Sequence, residues 1–449
     1  MRKLFGTDGM RGVAGTPPLD GSTLYRLGRA LAVILARAPE RSAPPRVLLG
    51  RDTRESCGWI AAALSRGIRD GGGEPVSAGV LPTPGLALLT RRDDFAAGLM
   101  VSASHNPYED NGVKVFAADG SKLSDHSEAS IEAEMEALGD VAPPVGDDAA
   151  TDDHDHLLEE YLAFLDHCRE GVDLEGVLVA LDCAHGAAHQ VGPEAFRRAG
   201  AGVVVTGDAP DGRNINDGVG SLHPEVAAEL VRSSGASLGF CFDGDADRCI
   251  AIAGDGTILD GDFLLYYMGC ALHRAGQLKG ATVVATVMSN LGLEKALEAE
   301  GLAMLRTPVG DRYVLEALRR RDLSLGGEQS GHVILMDYAP TGDGVLTALT
   351  LARMWKQGAG DLLEAAARIR RYPQVLKNVR VRSKPAIADH PVLAAAVADA
   401  ERRMAGEGRV VVRYSGTEPK ARVMIEGADA RLVEDLADEL VTLFERELG

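Results

Sequence analysis

The sequence predicts an α/β protein with three consecutive α/β domains, each built on a mixed sheet, and a smaller α+β domain at the C-terminus. Apolar runs of strand length alternate with segments of helical periodicity along most of the chain. Strands and helices that alternate in this way predict mainly parallel pairing of the strands, with helices packed on both faces of the sheet. The length of 449 residues exceeds what one hydrophobic core supports, so about three domains or more are expected.

The first half of the chain shows the alternation most clearly. At helical spacing, Leu24, Leu27, Leu31 and Ile34 share one face of a helix predicted over residues 23–37. Short apolar runs that end in turn residues predict the strands. The other predicted elements are strands at 47–49, 97–101, 177–181, 203–206 and 238–242, a helix ending near residue 69, and helices at 193–198 and 224–233.

The second half of the chain continues in the same manner and ends in a smaller unit. Alternating apolar side chains at Val379 and Val381 indicate the first strand of that last unit. The predicted elements are strands at 281–287, 333–335 and 409–412, and helices at 345–358 and 391–404.

Composition marks the domain boundaries. Residues 139–156 are acidic and poor in apolar side chains, which is typical of a solvated linker. The Asp and His residues at 152–156 are therefore interpreted as linker and not as a metal site. The predicted domains are residues 1–150, 151–254, 255–372 and 373–449.

The net charge of −19 argues against binding to nucleic acid or to anionic membranes. An anionic substrate then needs a locally positive site; Arg11, bracketed by glycines, is one candidate contact, with a plain surface turn as the alternative. No apolar run has the length of a signal peptide core or a membrane span. The six cysteines are scattered without a Cys-x-x-Cys pair, which predicts reduced thiols in a cytoplasmic protein.

The segment at 100–107, with the sequence MVSASHNP, is a candidate catalytic loop. It follows the apolar strand at 97–101 and places the Ser104 hydroxyl at a strand's carboxyl end, where open α/β sheets bind ligands. A hydroxyl is a weak nucleophile unless it is activated or already carries a transferable group. Ten residues later, Lys114 offers a cation to the same cleft. The alternative is an ordinary turn without chemistry.

A second candidate loop follows the strand at 238–242 and contains Asp243, Asp245 and Asp247. Three carboxylates at alternate positions converge on one cation if the loop wraps around it, and such oxygen ligands suit Mg²⁺ or Ca²⁺. An EF-hand is excluded because Arg248 stands at the sixth position of the loop and Gly254 at the twelfth. Carboxylates so close would repel one another without a cation. The loop therefore predicts a metal site.

A third candidate loop contains Glu328, Ser330 and His332 at alternate positions. In an extended loop all three side chains point the same way. A carboxylate, a hydroxyl and an imidazole on one side suit the hydroxyl groups of a sugar. A hairpin-like turn is the alternative.

A fourth candidate loop follows the strand at 409–412. Its hydroxyls and backbone N–H groups, flanked by two arginines, form an anion nest of about phosphate size. In so acidic a protein this local positive charge predicts a binding site for a phosphate group. The residues of the nest are Arg413, Ser415, Gly416, Thr417 and Arg422.

Together the four loops describe the transfer of a phosphoryl group on a phosphorylated sugar with a divalent ion. In this order and spacing, over essentially the whole chain, they resemble the α-D-phosphohexomutases. Residues 6–12 (GTDGMRG), residues 310–314 (GDRYV) and Gln329 favour the branch that acts on glucosamine phosphates. The resemblance implies a heart-shaped arrangement of four domains around a central cleft. It also implies conversion of glucosamine 6-phosphate to glucosamine 1-phosphate, on the path to UDP-N-acetylglucosamine and the cell wall.

The resemblance assigns a role to each candidate residue. Ser104 would be phosphorylated, and its phosphate with the three aspartates Asp243, Asp245 and Asp247 would hold one Mg²⁺. Glu328 and Ser330 would bind sugar hydroxyls, while Arg413, Ser415, Gly416, Thr417 and Arg422 would bind the phosphate that does not react. His105, Lys114, Arg11 and Arg248 would neutralise the oxygens in transfer, and Lys114 or His332 would move protons.

The implied reaction passes through a bound 1,6-bisphosphate of glucosamine or glucose, which also serves as activator. Its partner is a small hexosamine phosphate, and a homodimer is a family expectation. Two alternatives remain open. One is the same chemistry on glucose or mannose phosphates; the other, less favoured, is an aspartyl-phosphate phosphatase in which Asp243 carries the phosphoryl group. A non-catalytic sensor is least favoured, because mere binding of a sugar phosphate does not require the acidic triad.

Overall fold

The computed structural model describes residues 4–6, 9–37, 43–92, 94–139, 151–415 and 419–449. In these parts of the chain, three α/β units and a smaller α+β unit follow one another, each on its own sheet. The predicted fold class is therefore confirmed, while the heart-shaped arrangement stays a prediction. Residues 140–150 of the predicted linker, and Gly416 and Thr417 of the predicted phosphate nest, lie outside the described residues.

The first unit contains a six-stranded mixed sheet and four helices. Its elements are β1 (Met10–Val13), α1 (Gly21–Ala36), β2 (Arg46–Arg51), α2 (Cys57–Asp70), β3 (Glu74–Val80), α3 (Thr83–Thr90), β4 (Ala97–Val101), β5 (Asp110–Ala117), α4 (Asp125–Ala137) and β6 (Thr151–Asp152). The strand order is β1-β5-β4-β2-β3-β6. Strands β2, β3, β4 and β6 are parallel, and β5 runs antiparallel to both of its neighbours. The loop after β4 therefore leaves the middle of the sheet.

Helices α1 and α2 pack closely because a glycine of each helix faces the backbone of the other. A Cβ atom at Gly28 would lie 2.3 Å from the Leu64 carbonyl oxygen, and one at Gly67 would lie 2.1 Å from the Tyr25 carbonyl oxygen. No side chain fits at those distances, so the spacing of the two helices requires glycine. The predicted apolar face of α1 is buried at Leu24, Leu27 and Leu31, whereas Ile34 is partly buried.

The second unit contains a five-stranded sheet in the order β11-β10-β9-β7-β8. Strand β9 is parallel to β7 and antiparallel to β10, so the loop after β9 leaves the middle of this sheet as well. The elements are α5 (His154–Cys168), β7 (Leu178–Asp182), α6 (Ala188–Arg198), β8 (Gly202–Thr206), α7 (Pro224–Ser234), β9 (Leu238–Phe242), β10 (Cys249–Ala253) and β11 (Ile258–Leu259).

Helix α5 corrects the prediction of a linker that continues to residue 156. The helix begins at His154, and Asp155 lies in its first turn, where a carboxylate interacts favourably with the helix dipole. Leu157, Tyr161 and Leu165 follow at helical spacing and are buried. The acidic residues that resemble a linker are therefore the solvated start of an amphipathic helix.

The third unit contains a four-stranded sheet in the order β13-β12-β14-β15 and five α-helices. Strand β12 is parallel to β13 and β14, whereas β14 and β15 form an antiparallel hairpin. The elements are α8 (Gly261–Arg274), a 3₁₀ helix (Lys279–Ala281), β12 (Thr282–Thr286), α9 (Leu291–Ala299), β13 (Ala303–Thr307), α10 (Asp311–Arg321), β14 (Leu325–Gly327), β15 (Val333–Leu335), α11 (Gly344–Lys356) and α12 (Leu362–Ala367).

The fourth unit is a three-stranded antiparallel sheet, in the order β16-β18-β17, covered by helices. The unit contacts the third one through Arg409 Nη2, which donates to the Ser289 carbonyl oxygen at 2.7 Å. Across the described chain, no helix has both the length and the apolar character needed to span a membrane. The elements are β16 (Gln374–Arg380), a 3₁₀ helix (Ile387–Asp389), α13 (Pro391–Arg403), β17 (Gly408–Tyr414), β18 (Lys420–Gly427) and α14 (Ala430–Leu448).

Candidate active site

The loop after β4 presents Ser104 in a strained and buried position. Ser104 has a φ of 54°, in the left-handed region that is uncommon for residues other than glycine, and is 2% exposed. Its Oγ donates to Asp243 Oδ2 at 2.6 Å and lies 3.3 Å from His105 Nδ1. Strained residues of this kind cluster at functional sites. The hydroxyl thus points at a carboxylate of another unit.

Polar groups of the first unit support this loop. Ser102 Oγ accepts a hydrogen bond from the Ser104 backbone N–H at 2.9 Å and donates to Asp52 Oδ2 at 2.6 Å. From β1, Arg11 Nη1 donates to the Ala103 carbonyl oxygen at 3.1 Å. The structure therefore places Arg11 directly beside the Ser104 loop.

The loop after β9 brings Asp243, Asp245 and Asp247 together. All three are buried, and each offers a carboxylate oxygen within 4.8 Å of the other two. Ala246 has a φ of 56°, which turns the loop back on itself. Within the described chain, Oδ1 of Asp245 and Oδ1 of Asp247 are buried without accepting a hydrogen bond. Buried carboxylate oxygens without donors fit a divalent cation that prefers oxygen ligands, such as Mg²⁺.

Cationic and hydroxyl groups from the first unit face this triad. Lys114 in β5 is 2% exposed; its Nζ donates to Asp245 Oδ2 at 2.8 Å and lies 3.5 Å from Asp247 Oδ2. Thr83, at the start of α3, donates from Oγ1 to the same Asp245 oxygen at 2.7 Å. These contacts fix Oδ2 of Asp245 and leave Oδ1 of Asp245 and Oδ1 of Asp247 for a ligand.

Arg248 contacts the triad through both its backbone and its side chain. Its N–H donates to Asp243 Oδ1 at 3.1 Å, and its Nε lies 3.9 Å from Asp247 Oδ1. The positive charge of this side chain therefore faces the triad from within the same loop.

The pKa values of the triad show that burying three carboxylates together without a cation is unfavourable. Burial, together with Asp247 and Asp245, raises the pKa of Asp243 well above its usual range. Burial also opposes ionisation of Asp247, but Lys114 and His332 outweigh it and hold the pKa of Asp247 well below its usual range. A divalent ion would favour the ionised form of all three carboxylates.

The surroundings shift the pKa values of the two histidines of the site in opposite directions. Burial, and then the charges of Arg248 and Arg11, lower the pKa of His105 to about 4. Burial also opposes the charged form of His332, but Asp247 outweighs it and raises the pKa of His332 to about 9. At neutral pH, His105 beside Ser104 is therefore neutral, whereas His332 is charged.

The segment with Glu328, Ser330 and His332 corrects the expectation of an extended loop. It is the turn of the β14–β15 hairpin: the Glu328 N–H donates to the His332 carbonyl oxygen at 2.9 Å, and the Gly331 N–H donates to the Glu328 carbonyl oxygen at 3.0 Å. Gly331 has a φ of 93°, and a Cβ atom there would lie 2.2 Å from the Cys249 carbonyl oxygen. The turn therefore depends on glycine at this position.

The hairpin still brings His332 to the triad, and its turn packs against Cys249, which follows the triad loop. His332 Nδ1 lies 3.6 Å from Asp247 Oδ1, and Glu328 Oε1 accepts a hydrogen bond from the Gly310 backbone N–H at 3.1 Å. The Ser330 Oγ is buried and has no hydrogen-bond partner among the described residues. A buried hydroxyl without a partner is suited to a hydroxyl group of a ligand.

The described part of the predicted phosphate nest lies in the fourth sheet. Arg413 in β17 and Arg422 in β18 are direct cross-strand partners. Burial and the charge of Arg422 lower the pKa of Arg413. Ser415 is buried, and its carbonyl oxygen accepts a hydrogen bond from Lys384 Nζ. Two arginines held side by side favour an anion between them.

The structure thus divides the predicted residues into two groups. Around the triad Asp243, Asp245 and Asp247 it gathers Ser104, His105, Lys114, Arg11, Arg248 and His332 together with the Glu328–Ser330 turn, whereas Arg413, Ser415 and Arg422 belong to the fourth sheet.

Sequence reasoning missed four polar residues of this site: Asp52, Arg54, Thr83 and Asn216. Asp52 and Arg54 follow a buried strand directly, which is the same signal that reveals the aspartate triad. For Asn216, which reaches the site from a distant turn-rich loop, no local pattern gives that signal.

Comparison with known proteins identifies the class to which this fold and site belong. Models of the phosphoglucomutase/phosphomannomutase domains match residues 2–141 for α/β/α domain I, 159–256 for domain II, 260–372 for domain III and 376–443 for the C-terminal domain. The chain belongs to the phosphoglucomutase/phosphomannomutase family, and the predicted resemblance to the phosphohexomutases is confirmed.

Within that family, full-length relatives share nearly half of their residues with this chain. A phosphoglucosamine mutase of Solibacter usitatus is 47% identical over 448 residues, which cover 100% of this chain and 99% of the relative. A phosphoglucosamine mutase of Bacillus licheniformis is 45% identical over 451 residues and 100% of both chains.

Solved structures share the fold at lower sequence identity. A phosphoglucomutase/phosphomannomutase family protein from Burkholderia thailandensis superposes with a TM-score of 0.79 at 20% identity, over 100% of this chain and 99% of the other. An N-acetylphosphoglucosamine mutase from Aspergillus fumigatus, solved with GlcNAc-6P and magnesium, gives a TM-score of 0.65 at 18% identity, over 99% and 96%. These likenesses concern the fold.

Proposed function

We propose that this protein interconverts glucosamine 6-phosphate and glucosamine 1-phosphate through a phosphoserine at position 104. The observation that carries the proposal is the contact of Ser104 Oγ with Asp243 Oδ2 at 2.6 Å, at the edge of a buried carboxylate triad. Phosphoryl transfer depends on alignment and on neutralised oxygens. The choice of a glucosamine phosphate rests on the full-length relatives named phosphoglucosamine mutase, at 45–47% identity.

Mg²⁺ is the proposed cation. The carboxylates of Asp243, Asp245 and Asp247, with the phosphate on Ser104, would hold it, because two of those carboxylates have buried oxygens that accept no hydrogen bond from the described residues. When bound, the ion neutralises the phosphoryl oxygens and keeps them aligned. The A. fumigatus relative, which was solved with magnesium and GlcNAc-6P, supports this choice.

In the proposed reaction, phosphorylated Ser104 gives its phosphoryl group to the free hydroxyl of the sugar phosphate. The bond from Oγ to phosphorus breaks as the sugar oxygen bonds to phosphorus, and the sugar hydroxyl loses its proton. Lys114 and His332 are the two candidates to relay protons: because both are cationic in the resting site, either would first give a proton to the departing Ser104 Oγ and then take the proton of the sugar hydroxyl. Arg11, Arg248, Lys114 and His105 face the oxygens in transfer and offset their charge or donate to them.

The first transfer leaves a 1,6-bisphosphate in the cleft. This intermediate turns end for end, and Ser104 takes back the other phosphoryl group. A 1,6-bisphosphate of glucosamine or glucose added from outside would phosphorylate Ser104 by the same step and so act as activator. Because either phosphate must occupy the same anchor, that anchor must recognise phosphate and not one end of the sugar.

The anchors for the sugar are proposed on the two other loops. Glu328 and Ser330 bind sugar hydroxyls, and Ser330 Oγ is free to do so because it is buried without a protein partner in the described chain. The nest binds the phosphate that does not react. Its residues are Arg413, Ser415, Gly416, Thr417 and Arg422, of which the described ones lie in or beside β17 and β18.

The proposal also includes a cytoplasmic location for the enzyme. All six cysteines are buried free thiols, which suits a reducing cytoplasm. The product is a precursor of UDP-N-acetylglucosamine and hence of the cell wall, and the small sugar phosphate is the principal partner. The domain limits 1–150, 151–254, 255–372 and 373–449, and a homodimer, remain part of the proposal.

The test measures turnover and the site of the covalent phosphate on the same preparation. Turnover is compared on glucosamine, glucose and mannose 6-phosphates, with glucose 1,6-bisphosphate as activator and Mg²⁺ present. Peptide mass spectrometry of the phosphoenzyme then locates the phosphate. We expect the highest kcat/KM on glucosamine 6-phosphate and the phosphate on Ser104. A faster reaction on another sugar would overturn the substrate, and phosphate on Asp243 would overturn the mechanism in favour of an aspartyl-phosphate phosphatase.

A further inference from the structure

Arg54 directs four of its five N–H donors at the chain segment that carries Ser104. The side chain of Arg54 is 0% exposed, and its Nε donates to the equally buried Asp52 at 2.9 Å. An arginine has five N–H donors, and the other four reach backbone oxygens of one loop. Nη2 donates to the carbonyl oxygens of Ser104 at 3.0 Å and Asn106 at 2.9 Å, and Nη1 donates to those of Pro107 and of Asp110, the latter at 3.1 Å.

Asn216 binds two of the same carbonyls from the second unit. Its Nδ2 donates to the Ser104 carbonyl oxygen at 2.9 Å and to the Asn106 carbonyl oxygen at 3.1 Å. Gly244, inside the aspartate loop, packs against the same place, since a Cβ atom there would lie 2.6 Å from the Ser104 carbonyl oxygen. One peptide group is therefore held by groups from two different units.

The conformation of Ser104 explains why its carbonyl needs such support. A φ of 54° is unfavourable for a residue with a side chain, and it persists only when the surroundings fix it. In this conformation the carbonyl faces Arg54 and Asn216 while Oγ faces Asp243. A loop released from these donors would relax towards an ordinary φ, and the hydroxyl would turn away from the triad.

We propose that Arg54 and Asn216 are positioning residues for phosphoryl transfer. Together they form a clamp on the Ser104 carbonyl, which we call the Ser104 clamp, and through it they hold the Ser104 hydroxyl against the acid triad. Neither residue acts on the substrate, because the donors of both already bind protein oxygens: the Asp52 carboxylate and the backbone carbonyls of the loop. The clamp rests on the proposed function, in which Ser104 carries the phosphoryl group. It governs the transfer step and not the binding of the sugar at Glu328 or in the phosphate nest.

The test compares two clamp variants with a matched control. Asn216→Gly removes the amide donors but keeps a residue suited to the φ of 59° at this position. Arg54→Lys keeps the charge beside Asp52 but loses the planar set of donors. Arg213→Ala, in the same loop as Asn216, removes an exposed ion pair with Glu55 at 2.7 Å and a cation–π contact with Tyr108, but no hydrogen bond to the Ser104 carbonyl.

We expect kcat to fall by roughly 10- to 100-fold in both clamp variants, because misplacement of a reacting group by about 1 Å has an effect of that size. The KM for the sugar phosphate should change by less than about threefold, since the sugar anchors are untouched. Arg213→Ala should stay within about twofold of the wild type in kcat and KM. Circular dichroism at the assay temperature gives the folded fraction of each variant.

A second readout separates the clamp from the proposed function. Intact-mass spectrometry follows phosphoryl uptake by Ser104 from glucose 1,6-bisphosphate, and its rate should fall in parallel with kcat. A wild-type enzyme that takes up this phosphate but does not isomerise glucosamine phosphates overturns the proposed substrate and leaves the clamp standing. Unchanged uptake in Asn216→Gly, a rise in KM at constant kcat, or a loss that only follows the folded fraction overturns the clamp. Asn216→Gly decides the question if Arg54→Lys does not fold.

Discussion

Ser104 Oγ donates a 2.6 Å hydrogen bond to Asp243 Oδ2 across a separation of 139 residues in the chain. The contact joins the loop after β4 in the first sheet to the loop after β9 in the second. Both loops leave the middle of their sheets at the carboxyl ends of parallel strands, where α/β proteins place ligands. The group that stores the phosphoryl and the groups that hold the cation therefore come from different units. Any motion between the two units would change their alignment.

Replacement of the Ser104 hydroxyl tests whether it is the phosphoryl carrier. Ser104→Ala should lower kcat by at least ~10³-fold, because the covalent route is lost. The melting temperature should stay close to that of the wild type, since one hydrogen bond is removed without opening a cavity. Turnover and thermal melting are measured together, with Ser233→Ala on the exposed face of α7 as control. Turnover of Ser104→Ala near the wild-type rate would contradict the mechanism.

Removal of the divalent ion should lower both activity and thermal stability. The triad holds three buried carboxylates, and burial together with their mutual repulsion raises the pKa of Asp243. Mg²⁺ at a hundred times its Kd should add about 2.7 kcal/mol to the free energy of unfolding. Melting curves of the wild type and of Asp245→Asn are compared in chelator and in excess Mg²⁺. A wild type with full activity in chelator, or an equal Mg²⁺ shift in both proteins, would refute a metal site here.

Lys114 should matter for folding as well as for chemistry. Its ammonium is buried against Asp245 at 2.8 Å, so Lys114→Met leaves carboxylates in the interior without their cation. Loss of one partner of a buried pair destabilises by about 3–5 kcal/mol. Urea unfolding in chelator should show a loss of this size, and excess Mg²⁺ should restore part of it. Lys279→Met, which breaks an exposed pair with Asp322, is the control and should cost less than about 1 kcal/mol.

Much of the fold can be predicted from the sequence, because the apolar periodicity of each element is local. Two helices begin at other residues than predicted. Helix α6 begins at Ala188 and contains Pro193 in its interior, whereas a proline ordinarily indicates the first turn of a helix. Helix α5 likewise begins among acidic residues, because the apolar face that anchors it lies further along the chain.

The site was only partly predictable for a related reason. Asp243, Asp245 and Asp247 reveal themselves by spacing within one loop, as does the serine loop. Thr83 and Asn216 contact these groups across 162 and 112 residues of sequence, and no periodicity encodes such pairings. The sequence at Glu328 leaves an extended loop and a hairpin turn both open, because alternation along three residues does not distinguish them; Gly331 permits the turn that is observed.

A buried aspartate away from the triad predicts a pH dependence of stability. Burial, and then the charge of Asp260, raise the pKa of Asp262 from 3.8 to about 7. The folded state therefore binds more protons than the unfolded state between those values, so this residue's contribution to stability falls as the pH rises through that window. Through Asp262 the wild type should lose at most ~1.4 kcal/mol of unfolding free energy per pH unit, and Asp262→Asn should remove this dependence.

Urea unfolding of the wild type and Asp262→Asn at pH 5, 6 and 7 measures that slope. The free energy of unfolding of the variant, relative to that of the wild type, should increase as the pH rises. The control is Asp255→Asn: Asp255 is exposed, and the N–H of Thr257 lowers its pKa, so no slope is expected above pH 5. A constant difference between the wild type and Asp262→Asn would show that Asp262 is ionised in the folded protein across this range.

The pair of arginines in the fourth sheet predicts an anion site that can be tested without turnover. Arg413 and Arg422 stand directly opposite each other on β17 and β18, and like charges in that position destabilise a sheet. An anion between them offsets this repulsion, so inorganic phosphate should raise the melting temperature of the wild type. The melting temperature of Arg422→Gln should rise less than that of the wild type when phosphate is added. Sodium chloride at equal ionic strength controls for screening, and Arg403→Gln, at the exposed end of α13, controls for net charge. Equal phosphate shifts in Arg422→Gln and Arg403→Gln would mean that the anion binds elsewhere.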